Sequence, residues 1–301
     1  MKQTNIHKAA LLGSASALGL NWIYDRDLLK QHQLEGHPMI FEEIDHELYK
    51  SSEKSYDVYP EHQVGDLDFM GEVYYLTYMF LTYEEDKSLR RYREVLYEYF
   101  REDYEYNGYV ESYGKDFLAK YKAELDGTKE VAEHTDYVDK QMIGLLYILT
   151  VYEDDNIINK ELTAQEFAKV LTAYSKVDDL TRALYYLLVL LDQGLPFKEA
   201  ALQLEEYLPV LYRKDVLIAL TDIDLETFLK KHSGVACGIN HALPLIFYIL
   251  AHTNTWEEAM VLNATLGGAS SARGIFLSAI ASRYLEIPGK YLKLLQYNLP
   301  D

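Results

Sequence analysis

Asp68 and Glu72 stand four residues apart at the start of an apolar stretch, a spacing that puts two carboxylates on one face of a helix. Such a pair can act as general acid and base, or hold one cation weakly. Acids at a helix start are also favoured by the helix dipole alone, so a solvated face explains them equally. Residues 267–274, Gly-Gly-Ala-Ser-Ser-Ala-Arg-Gly, offer a different chemistry where they run into the helical pattern of Ile275 to Leu285. Small residues at a helix start leave backbone N–H groups uncovered and favour negative charge, so Gly268, Ser270, Ser271 and Arg273 suit a phosphate. The same residues also permit close helix packing, with Arg273 in a surface or structural ion pair.

Few other chemistries have support. The nine histidines show no metal-ligand spacing of the H-E-x-x-H kind, and no Walker phrase, G-x-S-x-G elbow or dinucleotide fingerprint occurs. The single cysteine, Cys237, excludes an internal disulfide and a multi-cysteine metal site, and fits a reducing cytoplasm. Acidic residues outnumber basic ones by 48 to 29, a net charge of −19 that disfavours extended contact with DNA or RNA. A nucleotide-sized anion would need local positive potential.

These residues must be positioned by helices. Leu89, Tyr92, Val95, Leu96, Tyr99 and Phe100 recur at three- and four-residue spacings between charged residues. Capping-box signatures stand at Thr163 to Glu166 and Thr255 to Glu258. Further helices are predicted over about 6–20, 69–84, 115–125, 138–152, 179–193, 197–207, 239–252 and 271–285, with only His37 to Ile44 hinting at extended chain. The expectation is an all-α fold, one domain over residues 1–301, with the apolar helices at 183–191 and 239–252 in its centre. Lys2 and Lys8 before the apolar run Ala9 to Leu20 imitate a signal sequence, but glycines and serines dilute the run, and a buried first helix is expected. The runs Ala183 to Leu191 and Ala242 to Ala251 fall short of the roughly 18 residues a membrane span needs. Tyr97, Tyr99, Tyr104, Tyr106 and Tyr109 are read as half-buried rings with wet hydroxyls, against the alternative of a stacking surface for bases or sugars.

Three phrases in order carry a family likeness: Ala10-Leu-Leu-Gly-Ser-Ala-Ser-Ala-Leu-Gly-Leu-Asn-Trp-Ile-Tyr-Asp25, Gly65-Asp-Leu-Asp-Phe-Met-Gly-Glu72, and the 267–274 segment. Together the chain resembles the ADP-ribosylglycohydrolase family, in particular the branch that contains the J1-crystallin-like proteins, over roughly residues 5 to 290. The resemblance implies a compact all-helical fold, cleavage of an ADP-ribosyl glycosidic bond, and two Mg²⁺ ions held between two helix starts. Here Ser16 falls where the first motif has aspartate, Asp68 falls on a threonine position, and Phe69 and Met70 replace the residues that follow. Ala269 and Ser271 take the places of the carboxylates in the third motif. The remaining oxygen donors are Ser16, Asp25, Asp66, Asp68, Glu72, Ser270 and Ser271, which cannot provide a two-metal ligand set. The implied protein is a diverged hydrolase scaffold that acts on or binds an ADP-ribosyl or related nucleotide group. Asp68 or Glu72 would be its general base, and Ser270, Ser271 and Arg273 its phosphate contacts. It would have no resident cofactor and at most one weakly held Mg²⁺. The alternative is a non-catalytic nucleotide-binding or crystallin-like structural protein. In either case the three segments are expected to meet at one cleft.

Overall fold

Apolar periodicity becomes helix along almost the whole chain. A computed structural model describes residues 4–102, 106–128 and 140–299. Its α-helices are α1 (Ile6–Ala17), α2 (Arg26–Leu34), α3 (His46–Ser51), α4 (Phe69–Tyr83), α5 (Leu89–Phe100), α6 (Ser112–Leu125), α7 (Leu146–Val151) and α8 (Lys160–Ala168). They continue with α9 (Val177–Asp192), α10 (Phe197–Leu202), α11 (Val210–Ala219), α12 (Leu225–His232), α13 (Ile239–His252), α14 (Trp256–Leu266) and α15 (Ser270–Ala281). Among the described residues there is no strand; the isolated bridges Ile23 to Ser55 and Gln141 to Gly238 are the extended contacts. No helix among them is long and apolar enough to cross a membrane.

The ends of the helices follow from their caps. Asn5, Asp25, Asp68 and Asp224 each accept backbone N–H bonds at the start of a helix, and Thr255 with Glu258 forms the expected capping box. The signature at Thr163 does not cap: Asn159 caps α8 four residues earlier, because its side chain reaches the Leu162 N–H at 3.0 Å. The segment His37 to Ile44 is not extended either. Met39 and Phe41 have φ of 66° and 55°, and the chain there folds back across the end of α1 with the Phe41 N–H on the Ser16 carbonyl at 2.8 Å. The predicted helix at 138–152 begins outside the described residues and is observed as a 3₁₀ turn, Met142–Leu145, that runs into α7.

One continuous apolar core runs from Ile6 to Tyr291, and its centre is the pairing of α1 with α15. Every residue of α15 and all of α1 except Lys8 are buried. The expected central helices fare differently. In α13 residues 242–250 are all buried, whereas α9 leaves Tyr185, Tyr186 and Val189 partly exposed on an outer face. The reason α1 and α15 take the middle is size. A Cβ on Gly13 would fall inside contact distance of the Gly274 carbonyl, and one on Gly274 would meet the Gly13 carbonyl, so the two backbones touch directly. Gly13→Ala is therefore expected to cost on the order of 3 kcal/mol in thermal unfolding. Gly289→Ala, with nothing within 4 Å of the new methyl, should leave the melting temperature unchanged.

Candidate functional site

The three sequence segments meet around α1. Ser14 donates from Oγ to Asp68 Oδ1 at 2.8 Å, tying the first segment to the second. Asn21 Oδ1 accepts the Ser271 N–H at 3.1 Å, and the Trp22 N–H and Ile23 carbonyl pair with Gly268 at 2.7 Å each, tying the first to the third. Gly267 and Gly268 both have positive φ, 68° and 66°, which this paired turn requires and glycine alone adopts without strain. Trp22 has φ of 65°, a conformation that a bulky residue holds only when its neighbours fix it.

The start of α15, expected to receive a phosphate, is enclosed in the structure. Ser270, Ser271 and Arg273 are fully buried by packing against α1, so the uncovered N–H groups expected there are enclosed. Arg273 has no acid partner among the described residues. Its Nε donates to Asn263 Oδ1 at 2.6 Å, and its Nη2 to the carbonyls of Asn263 at 3.1 Å and Gly267 at 2.8 Å. Burial lowers its pKa to about 9. It clamps the Gly267 turn, and its charge is neutralised by carbonyl dipoles. Ser16 is likewise structural, donating to the Gly13 carbonyl at 2.8 Å within α1. Asp25 caps α2 through the Leu28 N–H at 3.0 Å and also accepts the Glu53 N–H at 3.2 Å.

Asp68 does face a distinctive environment. It is 1% exposed and caps α4, with the Gly71 N–H and the Ser14 hydroxyl both on Oδ1, while Oδ2 has no hydrogen-bond partner. Beside it is Glu111, 4% exposed, at the position before α6. Burial raises the pKa of both carboxyls, and the charge of Asp68 pushes Glu111 further up. Tyr113 OH, close enough to feel both carboxylates, and Gln141 Oε1, whose Nε2 donates to Ser112 Oγ next to Glu111 at 3.1 Å, are also buried without partners among the described residues; the Ser270 and Ser271 hydroxyls are unpartnered too, but at the start of α15. Buried polar atoms in folded proteins are nearly always satisfied, so orphans around one acid pair mark a place built to meet something else.

Glu72 feels the charge of Asp68, but the two carboxyls have different hydrogen-bond partners. Asp68 is the cap, outside the helix, and turns inward, whereas Glu72 accepts hydroxyl bonds from Tyr99 at 3.1 Å and from Tyr297. Glu72 lines a groove of about 250 Å³ with Glu61, His62, Asp66, Tyr99, Tyr106 and Tyr297. Asp66 accepts the Gln63 N–H at 2.8 Å and adds negative potential there. Burial, partly offset by the two tyrosine hydroxyls, raises Glu72 to about 7. Tyr106 is the link between groove and cluster, since Glu72, Asp68 and Glu111 all act on it. Tyr97, Tyr99, Tyr106 and Tyr109 are half-buried, as their amphipathic character predicts, although the Tyr99 and Tyr106 hydroxyls find protein partners; Tyr104 lies outside the described residues.

Glu111, Tyr113 and Gln141 are the members that sequence reasoning misses. The one signal is that Glu111 precedes a helix between Val110 and Tyr113, an acid in an apolar setting. Its partner at Asp68 is 43 residues away along the chain and is revealed only by the fold.

No protein-family model matches the sequence, and no curated protein matches it. Among solved structures, the chain is similar to an ADP-ribosylglycohydrolase-related protein complex, at 19% identity and a TM-score of 0.66, over 97% of this chain and 92% of that one. At that identity the likeness shows the fold: an all-α ADP-ribosylglycohydrolase-like scaffold, in agreement with the resemblance of the three sequence segments.

Because Glu72 titrates near 7 when folded and near 4.5 when unfolded, its contribution to stability is fully present below pH 4.5 and is lost as pH rises through 7. Glu72→Gln should thus match the wild type closely at pH 5 and exceed it at pH 8 by about 2 kcal/mol, or roughly 4 °C in melting temperature. Thermal unfolding of both proteins at the two pH values checks this, and equal differences at pH 5 and 8 would contradict it.

Proposed function

We propose that this chain is an ADP-ribosylglycohydrolase-like protein that receives the ribosyl part of an ADP-ribosyl or related nucleotide group at its acidic face, without paired Mg²⁺ ions. The observation that carries this reading is the buried Asp68–Glu111 pair with its unpartnered Oδ2 and the orphaned hydroxyl and amide oxygens around it. Sugar hydroxyls both donate and accept, which is what carboxylate, tyrosine and serine groups together demand. A groove of about 250 Å³ suits one ring and is below the range for drug-sized ligands. Among the described residues no lysine or arginine lines it, so recognition rests on hydroxyls, with the phosphates outside.

The residues do not fit two Mg²⁺ ions. Phe69, Met70 and Ala269 are core residues at three positions the family gives to metal ligation, and Asp68 has one of its oxygens occupied by Ser14 and Gly71. What the pair supplies is proton transfer. Asp68, held by two donors, is the carboxylate that ionises first, and Glu111, pushed up by burial and by the Asp68 charge, stays protonated beside it; two acids with divided protonation are a base and an acid in one place. A second reading, a non-catalytic nucleotide-binding or crystallin-like structural protein, is favoured by the same burial of positions 69, 70 and 269.

Calorimetric titration with ADP-ribose, after chelation and again with excess Mg²⁺, separates these readings. The expected result is binding that Mg²⁺ does not change and that Asp68→Asn and Glu111→Gln each weaken by at least about tenfold, a loss typical of a buried hydrogen bond to charge. Binding that strengthens with Mg²⁺ would overturn the metal-free reading. Absence of binding in both conditions would leave the structural one.

A further inference from the structure

His32, His37 and Glu42 form a group that no sequence spacing announced and that the site above does not use. His32 lies in the last turn of α2, and the other two lie in the loop that follows. His32 Nε2 is 2.6 Å from Glu42 Oε2, the His37 ring stacks on His32 with centroids 3.7 Å apart, and ligand atoms from all three lie within 4.8 Å of one another. We propose that these three residues bind one divalent transition-metal ion of the zinc class.

The donor set is the first argument. Two imidazoles and one carboxylate are the ligands of an open three-residue zinc site, with water in the fourth position, and imidazole selects against Mg²⁺ and Ca²⁺. His37 is exposed, so the fourth position faces solvent, while His32 is 7% exposed and fixed. Donors on a tetrahedral zinc stand about 3.3 Å apart, given bonds of about 2.0–2.1 Å. An ion would enter where the His32–Glu42 proton now sits, widening that contact by less than an ångström, while the exposed His37 ring turns out of its stack to present a nitrogen.

The surroundings are prepared for it. Glu42 Oε1 accepts the Met39 N–H at 2.6 Å, which leaves Oε2 aimed at His32 and orients the carboxylate as an outer-shell bond orients a metal ligand. The loop between the two histidines and the glutamate contains two of the three non-glycine residues with positive φ among the described residues, Met39 and Phe41. Strain of this kind persists where a segment is held for a purpose. The backbone at Glu42 packs so closely on Gly19 that a side chain at 19 would strike the Glu42 carbonyl. A bound ion would therefore pin the loop across the end of α1.

The test uses the full chain, stripped with chelator and titrated with Zn²⁺ by calorimetry, with Co²⁺ as the spectroscopic probe. One equivalent of Zn²⁺ should bind, and Co²⁺ should give visible absorption bands of low-coordinate, nitrogen-containing geometry. His37→Ala removes an exposed side chain and should fold normally. Its expected effect is a loss of at least tenfold in Zn²⁺ affinity together with the Co²⁺ bands. His46→Ala, which breaks the separate two-residue pair of His46 with Asp57, should change neither. Failure of the wild type to bind Zn²⁺, undiminished binding in His37→Ala, or loss in His46→Ala would each overturn the proposal.

Discussion

The direct contact of two backbones at Gly13 and Gly274 is the constraint on which the rest of this molecule depends. With no side chain between them, α1 and α15 approach closely enough to bury each other almost completely. Their close fit carries Ser14 to Asp68 on one side and Asn21 to Ser271 on the other. It also encloses the start of α15, and with it the small-residue stretch whose composition alone would equally suit an anion. Arg273 completes the arrangement from inside by donating to carbonyls across the Gly267 turn. Leaving a guanidinium there without an acid is tolerable because several oriented carbonyl dipoles converge on it, and its lowered pKa measures the residual cost of burial.

That rigid centre sets up an acidic face with little compensating positive charge. Asp68 and Glu111 are withdrawn from water, and Asp66 and Glu72 line the groove outside them, with Tyr106 between. Burial makes ionisation of Asp68, Glu111 and Glu72 costly and raises the pKa of each, with the Asp68 charge adding to the effect on the other two. The consequence for chemistry is that these buried carboxyls keep their protons to higher pH than exposed ones. The consequence for recognition is that hydroxyl-rich or neutral groups suit the face better than bare phosphate. An anionic ligand would have to keep its charge away from these residues.

Aromatic residues finish the job that charge cannot. Tyr59 accepts the Phe69 N–H at 3.0 Å, Tyr99 and Tyr297 hold Glu72, and Trp22 packs edge-on against Tyr109 with centroids 5.5 Å apart. Each contributes a large apolar body and one polar tip, which lets carboxylates be buried without a cation. The many tyrosines of this chain thus act partly as solvents for its acids.

Helices with strong periodicity, the Thr255 capping box, the absence of a sheet and the first buried helix were all legible in the residues, because local spacing decides them. So were Asp68 and the glycine pairs as points of interest. What the sequence could not decide was direction and partnership. Whether 267–274 binds phosphate or packs, whether Asp68 pairs with Glu72 or with Glu111, and whether His32 ever meets His37 and Glu42 depend on contacts between segments or on loop backbone angles that spacing does not encode. Local residue pattern placed most of the helices and the side chains able to do chemistry, while missing the Asn159 cap and the turn at Met39 and Phe41. Only the tertiary structure decided which of those side chains are desolvated together, and desolvation is what turns an ordinary carboxylate into a group with a shifted proton affinity.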